Sequence, residues 1–271
     1  MLQGGLHMDY SELIVKKIGR VGVLTLNRPP KNSFSKKLLK EMLTAMDAFE
    51  KDDDIRTVFL KSTGEHFSRG ADADDIKKAL TGEVEEIKES FAELGGALVE
   101  KIDSYPKSTI VAAKGRCIGG STAVFNAFDI RIVGESFFIK DGDIYYGTVG
   151  SWGMSSLRLP IWIGRNRIMD YMFLNEGVTG RQAYELGIAS KVVADELVDE
   201  VGMHYAQKMS TAAPLAVKYF KECVRKTLYG ATLEESRDFE LEVANKIMAT
   251  EDAKAGLAAV IRGEQAEFLG R

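Results

Sequence analysis

The sequence predicts an α/β fold, a core of alternating strands and helices followed by a helical C-terminal region. Three observations carry that expectation. β-Branched runs alternate with amphipathic segments through the first half, strand signals thin out after about residue 161, and 271 residues at 45% hydrophobic content can bury one large core. LIVKK and VGVLTL read as a hairpin joined through Gly19, and RTVFLKS, STIVAA and DIRIV are further strands that each adjoin a helical segment. After Ser35, a plausible N-cap, Leu38, Leu39, Met42, Leu43, Met46 and Phe49 recur at helical spacing, as expected of a helix that covers a sheet. The pattern returns from Glu83 to Asp103 with Val84, Ile87, Phe91, Leu94, Leu98 and Ile102 on one face. IASKVV is the last clear strand, and helices dominate to the end.

Composition narrows the function classes. Lysine and arginine number 36 against 40 acidic residues, a formal charge of −4, which gives no reason to expect a nucleic-acid or anionic-membrane partner. Cys117 and Cys223 are the only cysteines, neither a disulfide framework nor a metal cluster, and both read as small core residues. His7 and His204 have no metal-ligand spacing, so no metal is assigned. The N-terminus lacks a secretory pattern and no apolar stretch is long enough for a bilayer, so the expectation is a cytoplasmic protein with its first seven or eight residues loosely ordered.

Two turns carry the chemistry. GRCIGGST places Gly115, Gly120 and Thr122 at the spacing of a phosphate loop, yet Ser121 stands where the phosphate-binding lysine belongs. Without that cation, the same strand-to-helix turn suits a different use, because N–H groups at a helix N-terminus polarise a carbonyl and stabilise the oxyanion it becomes. A second donor is available upstream in FSRGAD, where Gly70 permits an unusual backbone angle and Ala71 lets a ligand approach the main chain. Taken alone, Gly-Ala-Asp ahead of a helix is equally an ordinary cap, with Asp72 and Asp74 in or near the first helical turn.

Together the segments resemble the enoyl-CoA hydratase/isomerase family, the crotonases, along nearly the whole chain. LNRPPKNSF (26–34) resembles its early signature, FSRGAD (67–72) its first oxyanion loop and GRCIGGSTAVFNAFDIRIV (115–133) its glycine-rich second loop. Residues 143–193 are similar to the end of its core, and TEDAKAGLAAVIRG to its C-terminal helix. The resemblance implies a crotonase-like spiral of ββα turns over residues 9–200 and a helical trimerisation region over 201–271, in a homotrimer or homohexamer. It implies an acyl-CoA substrate, no cofactor beyond the coenzyme A of that substrate, and a thioester oxygen held by the N–H groups of Ala71 and Gly120. It places substrate contacts at Arg69, Ala73, Asp74 and Ile76, at Gly119, and at Tyr145, Tyr146, Ser151 and Trp152. Coenzyme A contacts fall on Arg28, Lys31, Ser68 and Ala71.

The departures bear on the reaction. Family hydratases use two glutamates; here the first position is Ala123 and the second is Asp143. A methyl group cannot orient or deprotonate water, whereas a lone carboxylate suits a proton shuttle, so double-bond isomerisation or an atypical hydration leads. C–C bond cleavage, thioester hydrolysis or decarboxylation of a cyclic or branched acyl-CoA, and a non-catalytic CoA-binding homologue, are the alternatives. Asp143 would need its pKa raised by apolar neighbours, for which Ile144, Val149 and Trp152 are candidates. Tyr145 and Tyr146 either reach the pocket or pack, Arg69 meets a phosphate, a substrate carboxylate or solvent, and Asp141 is either solvated or paired with Lys140 or Arg131.

Overall fold

The computed structural model describes residues 10–81 and 90–271. The expected hairpin forms from β1 (Leu13–Ile18) and β2 (Val21–Leu26), antiparallel from the Leu13–Leu26 pair to the Ile18–Val21 pair, with Gly19 at φ +58° in the turn. There follow α1 (Lys36–Lys51), β3 (Thr57–Ser62), α2 (Ala73–Leu80), α3 (Phe91–Asp103), β4 (Ser108–Ala113), β5 (Arg116–Ile118), α4 (Gly120–Ala127), β6 (Ile130–Gly134) and β7 (Phe138–Lys140). The chain continues through α5 (Leu159–Ile163), α6 (Arg165–Leu174), β8 (Val178–Thr179), α7 (Gly180–Glu185) and β9 (Lys191–Val193), and ends with α8 (Val198–Met209), α9 (Pro214–Leu228), α10 (Leu233–Met248) and α11 (Glu251–Arg262).

One sheet runs in the order β1-β2-β3-β4-β6-β9, parallel except for the first pair, and a smaller sheet runs β5-β7-β8. Both faces of the larger sheet are covered, which is why β2 and β4 are buried at every residue rather than alternating. On one face Leu24, Leu26, Val58 and Val111 meet α1 and α3; on the other Val21, Val23, Phe59 and Ile110 meet Val198 and Ala206 of α8. Ser35 caps α1 as expected, its hydroxyl accepting the Leu38 N–H at 3.0 Å. The expected helix over 83–103 begins at Phe91 within the described residues, capped by Ser90; Val84 and Ile87 lie outside them, as does His7.

The division expected at residue 200 falls inside α8. That helix belongs to the sheet: a Cβ at Gly202 would sit 2.7 Å from the Phe59 ring, so glycine lets the helix lie directly on the strand. The helices beyond are fastened by charge. Lys221 of α9 pairs with Asp129 at 2.7 Å, and Arg225 reaches Glu100 at 2.8 Å, where Arg158 also bonds Glu100 and Asp103. Cys117 is a buried core residue as expected, whereas Cys223 is only half-buried on α9, so the reading of it as core is corrected. No helix among the described residues is long and apolar enough to cross a membrane, and no cluster of three metal-ligating side chains occurs among them.

Candidate active site

The two turns are brought side by side by main-chain pairing. Residue 68 pairs in parallel with residue 117: the Ser68 N–H donates to Arg116 O at 2.9 Å and the Ile118 N–H to Ser68 O at 3.1 Å. Just beyond, both chains turn through glycine, Gly70 at φ +98° and Gly119 at φ +57°. They pass so closely that a Cβ on Gly70 would lie 3.2 Å from Ile118 O and one on Gly119 would lie 3.9 Å from the Gly70 Cα. A side chain at Gly70 would press on Ile118 O, and one at either position would meet an unfavourable backbone angle.

Ala71 pairs in turn with Phe34, whose N–H donates to Gly70 O at 2.9 Å and whose carbonyl accepts from Asp72 N–H at 2.8 Å. In that pattern the N–H of Ala71 itself points away from Phe34. Gly120 is the first residue of α4, so its N–H is one of the helix's unpaired N-terminal donors. Ser121 is turned inward: its hydroxyl donates to Ile118 O at 2.7 Å and accepts the Ile118 N–H at 2.9 Å, closing its own turn instead of facing a phosphate.

Asn32 was not singled out from the sequence, yet it anchors the first turn. It is fully buried, donates through Nδ2 to Thr63 O and His66 O at 2.7 and 3.0 Å, and accepts the Arg28 N–H at 2.8 Å. An asparagine in a turn-rich LNRPPKNSF stretch was the available signal. His66 supports the second turn, its Nδ1 accepting the Arg116 N–H at 3.4 Å.

The acid follows β7, whose last residue, Lys140, accepts the Gly119 N–H at 2.9 Å, and it opens a 3-10 turn over Asp143–Tyr146. Burial pushes the Asp143 carboxyl up to about 6, reinforced by the negative charge of Asp141 and by a hydrogen bond between the two carboxyl groups. The expected apolar source is corrected in part, because Val149 is 77% exposed. Asp141 is neither solvated nor paired with Lys140 or Arg131: it is 3% exposed and accepts the Ser155 hydroxyl. Arg131 instead donates to the carbonyls of Ile188 and Phe128.

Trp152 is buried. Its indole fills the space left by two glycines, since a Cβ on Gly95 would fall 1.9 Å from it and one on Gly120 2.8 Å, and it meets the Phe34 and Phe91 rings edge-on and tilted. Ala123, one helical turn beyond Gly120, is also buried. Arg69, Lys31 and Ser151 are exposed, as are Ala73, Asp74 and Ile76 on α2, while Gly119 is half-buried. Tyr145 donates to the Phe173 carbonyl, and Tyr146 lies near Gly142 but is 80% exposed. Two residues expected at coenzyme A are committed elsewhere. Ser68 is fully buried and accepts the Gly70 N–H at 3.2 Å, and Arg28 pairs with Glu12 and Asp72 at 3.1 and 2.9 Å. Burial alone would raise the Asp72 carboxyl, but the Arg28 guanidinium and two backbone N–H groups more than offset it and hold it low. An apolar cavity of about 670 Å³ lies elsewhere, between α9 and the start of β6.

Comparison with known proteins agrees with this fold. The pattern of the family described as enoyl-CoA hydratase/isomerase matches residues 16–271. A probable enoyl-CoA hydratase of Rhizobium meliloti is 30% identical over 97% of this chain and 100% of its own. A trans-2-decenoyl-[acyl-carrier-protein] isomerase of Streptococcus mutans is 25% identical over 97% of this chain and 100% of its own. The solved enoyl-CoA hydratase of Bacillus anthracis superposes with a TM-score of 0.88 at 25% identity, covering 96% of this chain and 100% of that one. With the crotonase fold, the paired turns and the match over nearly the whole length in hand, the chain belongs to the enoyl-CoA hydratase/isomerase family.

Proposed function

We propose that this enzyme moves a double bond within an acyl-CoA, holding the thioester enolate oxygen at the N–H groups of Ala71 and Gly120 while Asp143 carries the proton from one carbon to another. The observation that carries the reading is the pairing of one raised carboxyl with a methyl: Asp143 is pushed up to about 6, and the position of the family's first glutamate is the buried Ala123. A base of that strength is largely ionised near physiological pH and still holds a proton well enough to return it. Removing a proton beside a thioester drives charge onto its oxygen, where each well-placed donor is worth about 3 to 4 kcal/mol in the transition state. The Trp152 indole against Gly120 keeps water from that face of α4.

Lys31 and Arg69, both exposed and joined by the Arg69 N–H to Lys31 O bond at 2.9 Å, are the cations that this reading assigns to the coenzyme's phosphates. Apolar side chains exposed on the last helices, among them Phe220, Leu233 and Ile261, support assembly into a homotrimer or homohexamer. Atypical hydration is the second reading, favoured by the hydratase named among the relatives. Incubating the enzyme with linear and cyclic 2-enoyl- and 3-enoyl-CoAs in deuterated water separates the two. Isomerisation exchanges α-protons and shifts the double bond without adding water, hydration adds the mass of water, and neither change with any substrate refutes both.

A further inference from the structure

We infer that Asp141 is the positioning partner of Asp143: a buried carboxylate with no cation beside it, which takes the hydrogen bond of whatever proton Asp143 carries, so that the two acids work as one base. The inference rests on the reading of Asp143 as the proton carrier and adds a residue that the family resemblance does not assign.

Asp141 directly follows β7 and is 3% exposed. Its Oδ2 accepts the Ser155 hydroxyl and its Oδ1 accepts the Asp143 N–H at 3.3 Å, which sets the Asp141 carboxyl beside Asp143, where its charge and hydrogen bonding push the Asp143 carboxyl up. No lysine or arginine forms an ion pair with it among the described residues. The remaining titratable groups facing it are Cys117 from β5 and Tyr171 from α6. Burial pushes both the thiol and the phenol up, so they stay neutral. The local charge is therefore that of the two aspartates, and the negative charge of Asp141 favours the protonated form of Asp143.

The proton balance is simple. Asp143 takes the α-proton as the C–H electron pair passes into the thioester enolate; the pair of acids goes from two negative charges to one, and the new O–H donates to Asp141. When Asp143 releases that proton to the second carbon, the enolate electrons form the new C–H bond and both carboxylates are restored. Because the charge of Asp141 acts on Asp143, a change at Asp141 must appear in the titration of Asp143.

The test uses the ligand-free enzyme with carbon-13 in its aspartate carboxyls, the Asp143 signal being assigned by its loss in Asp143→Asn. In Asp141→Asn, which keeps size and the bond from Ser155 but removes the charge, the Asp143 midpoint falls by about 1 unit. In Ser155→Ala, which strips a donor from Asp141 and strengthens its hold on the shared proton, the midpoint rises. Opposite movements exclude a merely structural role, because general damage would shift both alike. An unmoved Asp143 midpoint in folded Asp141→Asn overturns the inference. If that variant fails to fold, an unmoved or lowered midpoint in Ser155→Ala overturns it. The titration needs no substrate, so a failure of the proposed reaction leaves it readable on its own.

Discussion

The turns at residues 68–71 and 117–120 and the acidic stretch at 141–155 form the candidate site by different means. The turns act through the main chain: glycine angles, a parallel pair between residues 68 and 117, and N–H groups whose direction the backbone fixes. The acidic stretch acts through side chains, and its chemistry depends on what buries Asp143 and what stands beside it. Damage to the first should therefore disturb geometry and binding together, and damage to the second should disturb chemistry alone.

The largest effect expected is from Asp143→Asn, which should lower α-proton exchange about 10²- to 10⁴-fold while leaving coenzyme A affinity nearly unchanged. Its stability effect has a definite sign. Because the folded carboxyl is raised to about 6 from an ordinary 3.8, ionising it costs stability above pH 6, and that cost disappears as pH falls toward 4. Asp143→Asn should then be more stable than the parent at pH 8 by on the order of 2 kcal/mol, a difference that vanishes near pH 4 in urea titrations. A variant that is both inactive and destabilised at pH 8 would erase the contrast between the two regions.

Gly120→Pro comes next. It removes the N–H and brings carbon against the Trp152 ring, which already sits 2.8 Å from where a Cβ would be. Turnover should fall about 10²- to 10³-fold, and coenzyme A affinity and thermal stability should fall with it. The acid limb of the parent's pH profile sharpens the other side: activity should decline about tenfold per unit below a midpoint near 6, since only ionised Asp143 accepts a proton. Smaller again is Gly95→Ala, which overpacks the indole and should cost about 1 to 3 kcal/mol of stability with the acid limb unmoved. Ser68→Ala, which removes one acceptor from the Gly70 N–H, should cost about 1 kcal/mol and change turnover least.

The same contrast governs what could be read from the sequence. The hairpin, α1 with its Ser35 cap, and both glycine turns were legible because periodicity and glycine spacing are local signals. The strands β5, β7 and β8 were missed, since two or three residues cannot establish an alternation and these are held by partners distant in the chain. Asp143 was picked out, and so was burial as the main source of its raised pKa, but the reinforcement by Asp141 was not: Asp141 read as solvated or paired with Lys140 or Arg131, and only the fold puts Ser155 and Tyr171 around it. Trp152 was expected at the substrate, but its packing was not foreseen, because its socket is made by Gly95 and Gly120 from two helices far apart in sequence.

The pairing of residues 68 and 117 has an evolutionary corollary. Rungs of a shared ladder cannot be spread without breaking hydrogen bonds that fix both sides at once, so the aperture between the two turns is a constant of the scaffold. A lineage that switched to a longer, bulkier or ring-bearing thioester would have to remodel α2 and the 143–152 loop, and diversity among descendants should accumulate there while the rungs stay the same.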